Sequence, residues 1–325
     1  MNVMDTSVVI GNWPDRPPEE ALHTAAIADR LRFGELWIGE TDTWDAFALA
    51  SAIGLATDRI EMTVGPLSVT VRDPMMIAMG AASVAALTRR RIGVALGTSS
   101  PRVAERWHGR SPEGSATALE ESARAVRGLL AGKRVDLDGE VVRTHGFRLR
   151  LAPPGGPLSV AALGDGAVRT AARHADRMVA DMVSPPVAAG LRAKLDEAAG
   201  EAGRRAPRLV ARLPAAVDPT PESYAQLMWS IVPYLGLAEY AETFGGVGLG
   251  DAVEMARAGA EPKELLTALP FDVAARVGLV GAAGEVRARL REYADAGVDE
   301  VAVVPATGGD PGGERTLTAI RELVR

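Results

Sequence analysis

Three carboxylates, Glu40, Asp42 and Asp45, fall in one short stretch after an apolar run over residues 36–39. Burial at the mouth of a pocket raises a carboxyl pKa toward neutrality and fits the group for general acid or base work. Glu40, at the end of the run itself, is the better candidate for that chemistry, whereas Asp45 directly precedes Ala46-Phe47-Ala48-Leu49 and suits a helix N-cap. His108, in Trp107-His108-Gly109, is the histidine nearest the end of an apolar run, where an imidazole can exchange protons near pH 7 or serve packing alone. His145 lies in a strand-like stretch and His174 late in a helical pattern, which suits surface or supporting positions. Together with His23 these are all the histidines, and none stands in His-x-x-x-His spacing, so no metal site is expected. The chain has no cysteine, which excludes disulfides, thiolate nucleophiles, iron–sulfur clusters and cysteine-bound zinc. Lys133, Lys194 and Lys263 are the only lysines, and none belongs to a GxxxxGK[ST] phosphate loop.

Glycines and small hydroxyl residues follow the apolar runs again and again. Gly11-Asn12-Trp13-Pro14-Asp15, Glu40-Thr41-Asp42-Thr43-Trp44-Asp45, Gly65-Pro66-Leu67-Ser68, Gly97-Thr98-Ser99-Ser100 and Gly164-Asp165-Gly166-Ala167 are the segments concerned. Small residues at such places let the backbone approach a flat or phosphorylated ligand, or simply permit tight strand-to-helix turns. The last of them leads into a helical pattern over residues 168–175, whose free N–H groups could hold a phosphate.

These segments need a frame, and the apolar runs supply it. Runs at 8–10, 36–39, 60–64, 92–97, 158–163, 178–183, 209–217 and 300–304 alternate with amphipathic stretches such as 17–33, 45–58, 73–90 and 115–130. Continuous apolar character, rather than alternation, marks strands buried on both faces, as parallel strands under helices are. Eight β–α units argue for an α/β protein of the (β/α)8 TIM-barrel class, built as one domain over residues 1–325, above a doubly wound sheet. Such a barrel needs about 250 residues, so on the order of 75 are extra. Two segments can hold them: a small strand insertion at 132–157, between strands four and five, and a helical insertion at 218–279, between strands seven and eight. The second gathers Trp229, Tyr234, Tyr240 and Phe244 in a chain only 4% aromatic, which suits a satellite core or a lid over a substrate pocket.

Composition narrows the partners. At 325 residues, with 47% apolar and 24% charged residues, the chain is an ordinary globular protein. Lysine and arginine number 36 against 42 aspartates and glutamates, a net charge of −6, which speaks against nucleic acid and anionic membrane. The first residues lack a basic stretch leading into an apolar one, and residues 75–87 are too short to span a bilayer, so a cytoplasmic protein acting on a small molecule is expected.

Several stretches, taken in order, resemble the luciferase-like monooxygenase superfamily, in particular its actinobacterial branch that uses the deazaflavin coenzyme F420. They are Glu35-Leu36-Trp37-Ile38-Gly39-Glu40, Ala56-Thr57-Asp58-Arg59-Ile60, Val71-Arg72-Asp73-Pro74-Met75-Met76-Ile77-Ala78, residues 92–109, Gly139-Glu140, residues 158–164, Ala172-Arg173-His174-Ala175-Asp176, residues 279–284 and residues 293–305. The resemblance implies a (β/α)8 barrel with an added segment between its seventh and eighth strands. It implies a flavin-type ring lying against a bulge in the third strand, near Gly65, Pro66 and Leu67, a bulge that often carries a non-prolyl cis peptide. Gly97, Thr98 and Ser99 would flank the ring, and the backbone of Ala162, Leu163, Gly164 and Asp165 would meet the cofactor phosphate. Members of this type often carry an acidic residue and a histidine after the second strand and a glutamate after the fourth; this chain has Glu40-Thr41 and Ser100 there. Arg177 stands where a glycine is common, so its charge must be accommodated near the sixth strand.

The expected activity is hydride transfer between coenzyme F420 and a small organic substrate. Thr41, Ser99 and Ser100 would donate hydrogen bonds, Glu40 or His108 would handle a proton, and Trp13, Trp44, Trp229, Tyr234 and Phe244 would line the substrate site. Two alternatives accompany it: a two-component monooxygenase using FMN, and a barrel that binds cofactor but has lost its chemistry. A homodimer through the apolar helix at residues 75–87 is implied as well.

Overall fold

The structure, a computed structural model, describes residues 4–324. Its strands are β1 (Asp5–Val9), β2 (Glu35–Ile38), β3 (Glu61–Ser68), β4 (Ile92–Gly97), β5 (Val135–Asp138), β6 (Arg143–Phe147), β7 (Gly155–Ala161), β8 (Arg177–Asp181), β9 (Arg208–Val217), β10 (Leu279–Gly281) and β11 (Glu300–Pro305). The helices are α1 (Glu20–Arg30), α2 (Ala46–Ala56), α3 (Pro74–Thr88), α4 (Ser115–Leu130), α5 (Asp165–His174), α6 (Pro185–Glu201), α7 (Pro221–Ile231), α8 (Ala241–Gly246), α9 (Gly250–Arg257), α10 (Pro262–Ala268), α11 (Val273–Arg276), α12 (Ala283–Asp295) and α13 (Glu314–Leu323). Strands β1–β4, β7–β9 and β11 match the eight apolar runs, and a helix follows each, the plan of a (β/α)8 barrel. Segment 132–157 holds the antiparallel pair β5–β6, and segment 218–279 holds helices α7–α11. Among the described residues no helix is long and apolar enough to cross a membrane.

The chain divides into two compact units. One comprises the described residues up to Phe33, Ala180–Arg192 and everything from Val210 onward; the other comprises Gly34–Val179 and Ala193–Leu209.

In the second unit β2, β3, β4 and β7 run parallel in that order, and residues 177–179 of β8 pair with β7. Every residue of β4 is buried, as its sequence Ile-Gly-Val-Ala-Leu-Gly requires of a strand covered on both faces. Helices α2 and α3 begin where carboxylates cap them: Asp45 accepts from the backbone N–H of Phe47 and Ala48, and Asp73 from that of Met76. Strand β3 runs on to Ser68 rather than stopping at Val64, because its register shifts between Val64 and Leu67 and a bulge absorbs the proline. The peptide bond at this bulge is cis, but it is the prolyl bond Gly65–Pro66, not the non-prolyl one that the family resemblance implies.

Arg177, whose charge had to be accommodated, is buried among these strands. Its Nη1 and Nη2 reach the two Glu35 carboxylate oxygens at 2.6 and 2.8 Å, Nη2 donates to Thr63 Oγ1 at 2.8 Å, and Nε donates to Ser159 Oγ at 3.3 Å. The guanidinium also lies over the Trp37 ring, 4.7 Å from its centre. A buried charge is tolerated only when paired and fully hydrogen-bonded, and four strands contribute to that here.

In the first unit the order is β10–β9–β11–β1, all parallel. Ser7 donates to buried Glu300 at 2.7 Å, and the Tyr293 hydroxyl donates to the Val183 carbonyl at 2.6 Å, so these buried polar groups are satisfied.

Replacing Arg177 by methionine is expected to cost about 3–5 kcal/mol of stability, because Glu35 is left largely buried and unpaired. A Glu35→Leu/Arg177→Met double substitution should recover most of it, measured by urea unfolding.

Candidate functional site

The ends of β3, β4 and β7 come together in the second unit. Gly65 has φ +128°, and a Cβ there would stand 2.2 Å from the Ala95 carbonyl oxygen, so no other residue fits the bulge. At Gly97 a Cβ would meet the Cβ atoms of Pro66 at 3.4 Å and Ala161 at 3.6 Å, so the bare backbone lies between the third and fifth strands of the barrel plan with no more than a methyl group's space on either side. Beyond it Ser99 holds a left-handed backbone, φ 68°, uncommon for a side-chain-bearing residue and concentrated at functional sites. The structure thus brings together Gly65, Pro66, Gly97 and the end of β7 that leads into Ala162. Leu67 is fully buried in β3, and Thr98 and Ser99 are half-buried.

From Ala162 the chain turns through Leu163 into α5. The helix begins at Asp165, three residues earlier than the pattern indicated, because Gly164 takes the N-cap position in extended geometry. No side chain caps this end, and a Cβ at Gly164 or Gly166 would meet nothing within 4 Å. An open helix start with free N–H groups is a ready anion site. Asp165 is exposed and joined to Lys194 at 3.0 Å; that hydrogen bond and the lysine charge hold its carboxyl below the usual range. Lys194 therefore sets a cation beside the helix start.

Glu40 is engaged on both oxygens. Arg72 Nε reaches Oε2 at 2.7 Å, Arg72 Nη2 reaches Oε1, and the backbone N–H of Ala46 donates to Oε1 at 3.1 Å. The same guanidinium bonds Asp45, so one arginine gathers two carboxylates of the acidic cluster at the start of α2. The Glu40 hydrogen bond, more than any other influence, raises the already high Arg72 pKa, with Asp45 adding to it against the opposing pull of burial. Burial works to raise the Asp45 carboxyl, but the N–H groups of Ala48 and Phe47 together with Arg72 hold it below its usual value. Sequence reasoning missed Arg72; its place in the loop after β3, just ahead of the Asp73 cap, was the available signal. Thr41 and Trp44 are exposed in the loop that Glu40 and Arg72 brace. Ser100 accepts from the N–H of Val103 at 3.4 Å, which leaves its own proton to donate. His108 is exposed, just past the π-helical turn Arg102–Trp107.

In the first unit, Asp181 ends β8 and Arg212 stands in β9, and the two form an ion pair. Tyr234 hydrogen-bonds Arg212, and the negative charge of Asp181, ahead of burial, raises its pKa. Burial chiefly pushes Tyr240 well above the usual phenol value, so both hydroxyls keep their protons. Burial also disfavours the charge on Arg212, yet Asp181 outweighs it and the pKa rises. Tyr234 packs edge-on to Tyr240 at 5.0 Å, and Tyr240 lies 5.5 Å from Phe244. Trp229 does not join them. It is 42% exposed on α7 and lines an apolar cavity of about 310 Å³ with Tyr224, Met228, Leu266, Leu269 and Phe271. Trp13 is packed against Gly11 and donates its indole N–H to the Pro305 carbonyl at 3.2 Å. Gln226 of α7 went unnoticed in the sequence: its amide nitrogen donates to both oxygens of Asp15 at 3.0 and 3.1 Å, and its oxygen accepts from the N–H groups of Thr307 and Gly308. Among the described residues no three His, Asp or Glu side chains assemble as metal ligands.

A glycine beside a strand bulge, followed by an open helix start, is an arrangement that lets a (β/α)8 protein receive an anionic group. The chain belongs to the luciferase-like monooxygenase family, whose model matches residues 4–300. It is 29% identical over 283 residues to the F420-dependent glucose-6-phosphate dehydrogenase of Mycobacterium avium, covering 81% of this chain and 79% of that one. The fold is shared with the coenzyme F420 dependent tetrahydromethanopterin reductase from Methanopyrus kandleri, at a TM-score of 0.81, 18% identity and 98% coverage of both chains. An F420-dependent secondary alcohol dehydrogenase in complex with an F420–acetone adduct matches at a TM-score of 0.80, 17% identity and 99% coverage of both.

Gly97→Ala, which brings a methyl group against Pro66 and Ala161, and Gly164→Trp, which has room to fold, are each expected to weaken binding of a flat cofactor at least about tenfold. Fluorescence titration reads the affinity, and an unchanged melting temperature shows that the fold is intact.

Proposed function

We propose that this protein is an oxidoreductase that binds coenzyme F420 and moves hydride between its deazaflavin ring and a small organic substrate. The observation that carries the reading is the meeting of Gly97 with the Gly65–Pro66 bulge in one unit with the open start of α5 at Gly164, in a chain whose relatives include F420-dependent enzymes over most of its length. When bound, the deazaflavin supplies a ring carbon that gives or takes the hydride. Gly65, Pro66 and Leu67 back the ring, Gly97, Thr98 and Ser99 flank it, and the backbone from Ala162 to Asp165 receives the phosphate with Lys194 beside it. Space beside Gly164 and Gly166 gives a long cofactor tail an exit, which favours the deazaflavin over FMN.

Thr41, Ser99 and Ser100 orient a substrate oxygen through their hydroxyls. Glu40, engaged by Arg72 and α2, holds the loop that carries Thr41 in place, and proton exchange with solvent falls to His108. Trp44, exposed in the same loop as Thr41, is the aromatic residue of this unit assigned to the substrate.

Parallel titrations with oxidised F420 and with FMN, read by fluorescence and thermal shift, test the reading. Tight binding of F420 alone is the expected result. Preference for FMN would replace it with an oxygen-using monooxygenase, and binding of neither with a barrel that has lost its chemistry.

The working form is a homodimer in this reading. Leu55 on α2 and Met76, Met79 and Leu87 on α3 are apolar yet 41–71% exposed, a surface suited to a second copy of the chain. Sedimentation should give twice the chain mass, and Met79→Glu should shift the species toward a monomer.

A further inference from the structure

Helix α7 has two sides with different tasks. On its inner side Gln226 is hydrogen-bonded to Asp15, Thr307 and Gly308, and Ser223, Leu227 and Ile231 are buried beside it. The other side carries the pairs Tyr224–Met228 and Ala225–Trp229, each four residues apart and so stacked along one face. Leu266 of α10, Leu269 at the end of that helix and Phe271 beyond it meet this side, and together these residues line the cavity of about 310 Å³. Phe271 is stacked on Tyr224, with ring centres 4.6 Å apart and planes at 19°, yet remains 81% exposed.

The walls say what can enter. Among the described residues no charged side chain lines the cavity, so an ion would lose its hydration without gaining a counter-charge. Apolar cavities stay dry and take small aromatic molecules, and this volume lies at the small end of ligand pockets. The two aromatic walls, Tyr224 and Trp229, offer faces and edges for a third ring, and Met228 supplies a side chain that adapts to an irregular shape. A protein partner is less suited: the lining comprises seven residues, against about 20–30 a side in a stable protein interface.

One wall is unsatisfied. The Tyr224 hydroxyl is buried and makes no hydrogen bond among the described residues. Burial, with the charge of Asp272 adding to it, raises its pKa, so the phenol keeps its proton and is a donor without an acceptor. Leaving such a group unpaired is costly, and an acceptor brought in by a ligand removes that cost.

We infer that this cavity is a binding site for a small uncharged aromatic molecule carrying one hydrogen-bond acceptor, which pairs with the Tyr224 hydroxyl. The inference is independent of the F420 reading, since every residue it uses lies in the helical segment between β9 and β10.

The test uses the isotope-labelled full chain and three one-ring probes: acetophenone, ethylbenzene, which lacks the acceptor, and benzoate, which is charged. Nuclear magnetic resonance follows the Trp229 indole N–H signal, identified by its loss in Trp229→Phe. Acetophenone is expected to move that signal and to bind about tenfold more tightly than ethylbenzene, with no shift from benzoate. In Tyr224→Phe the two neutral probes should bind alike, at the affinity that ethylbenzene has for the unsubstituted protein. Ala225→Phe, which fills the cavity from its open side, should abolish binding of both at an unchanged melting temperature. A Trp229 signal that no probe moves overturns the inference. So does equal affinity for acetophenone and ethylbenzene in the unsubstituted protein, or tighter binding of benzoate than of either. A Trp229 signal that instead shifts with protein concentration, as the sedimenting mass doubles, assigns the face to a second copy of the chain and overturns it too. Should Tyr224→Phe not fold, the ranking of the three probes on the unsubstituted protein decides alone.

Discussion

Arg177 keeps its charge at any pH a protein meets, so burying it obliges the strands around it to supply acceptors at one level. Glu35 at the start of β2, Thr63 within β3 and Ser159 within β7 do so. Gly93 of β4, the register partner of Thr63, leaves room for the layer, since a Cβ there would stand 2.3 Å from Thr63 Oγ1. A slip of one residue in any of these strands would turn its polar group to the other face and strand the charge. The same register determines where the strands end. At those ends Gly97 lies between Pro66 and Ala161.

The parts of this arrangement that depend on burial were legible in the chain. Eight parallel strands covered on both sides read as eight unbroken apolar runs, and the hydroxyls and glycines at their ends read as places of close approach. What escaped was set by contacts between distant residues. Proline at Pro66 looked like the end of a strand, yet a bulge carries β3 past it. Gly164-Asp165-Gly166 looked like a loop, yet the helix begins inside it. Glu40 looked like a group available for proton transfer, and only the fold brings Arg72, 32 residues on, against both its oxygens.

Aromatic residues near one another in sequence were treated alike, and helical phase separates them. On α7 the buried positions are Ser223, Gln226, Leu227, Met228 and Ile231, which leaves Trp229 on the outward side. Tyr234, Tyr240 and Phe244 come after that helix and stack together beside the Arg212–Asp181 pair. Only this inner trio is held by hydrogen bonding and charge as well as packing. The outer group around Trp229 is held by apolar contact, with Tyr224 stacked on a largely exposed Phe271.

Gln226 ties three pieces of backbone to one side chain: helix α7, the turn after β1 through Asp15, and the turn after β11 through Thr307 and Gly308. In mechanical terms the amide is a shared rivet. Helix α7 cannot swing without releasing four hydrogen bonds or dragging both turns along, so the three pieces are mechanically coupled. Any rearrangement of these turns has one glutamine as its shared point of release.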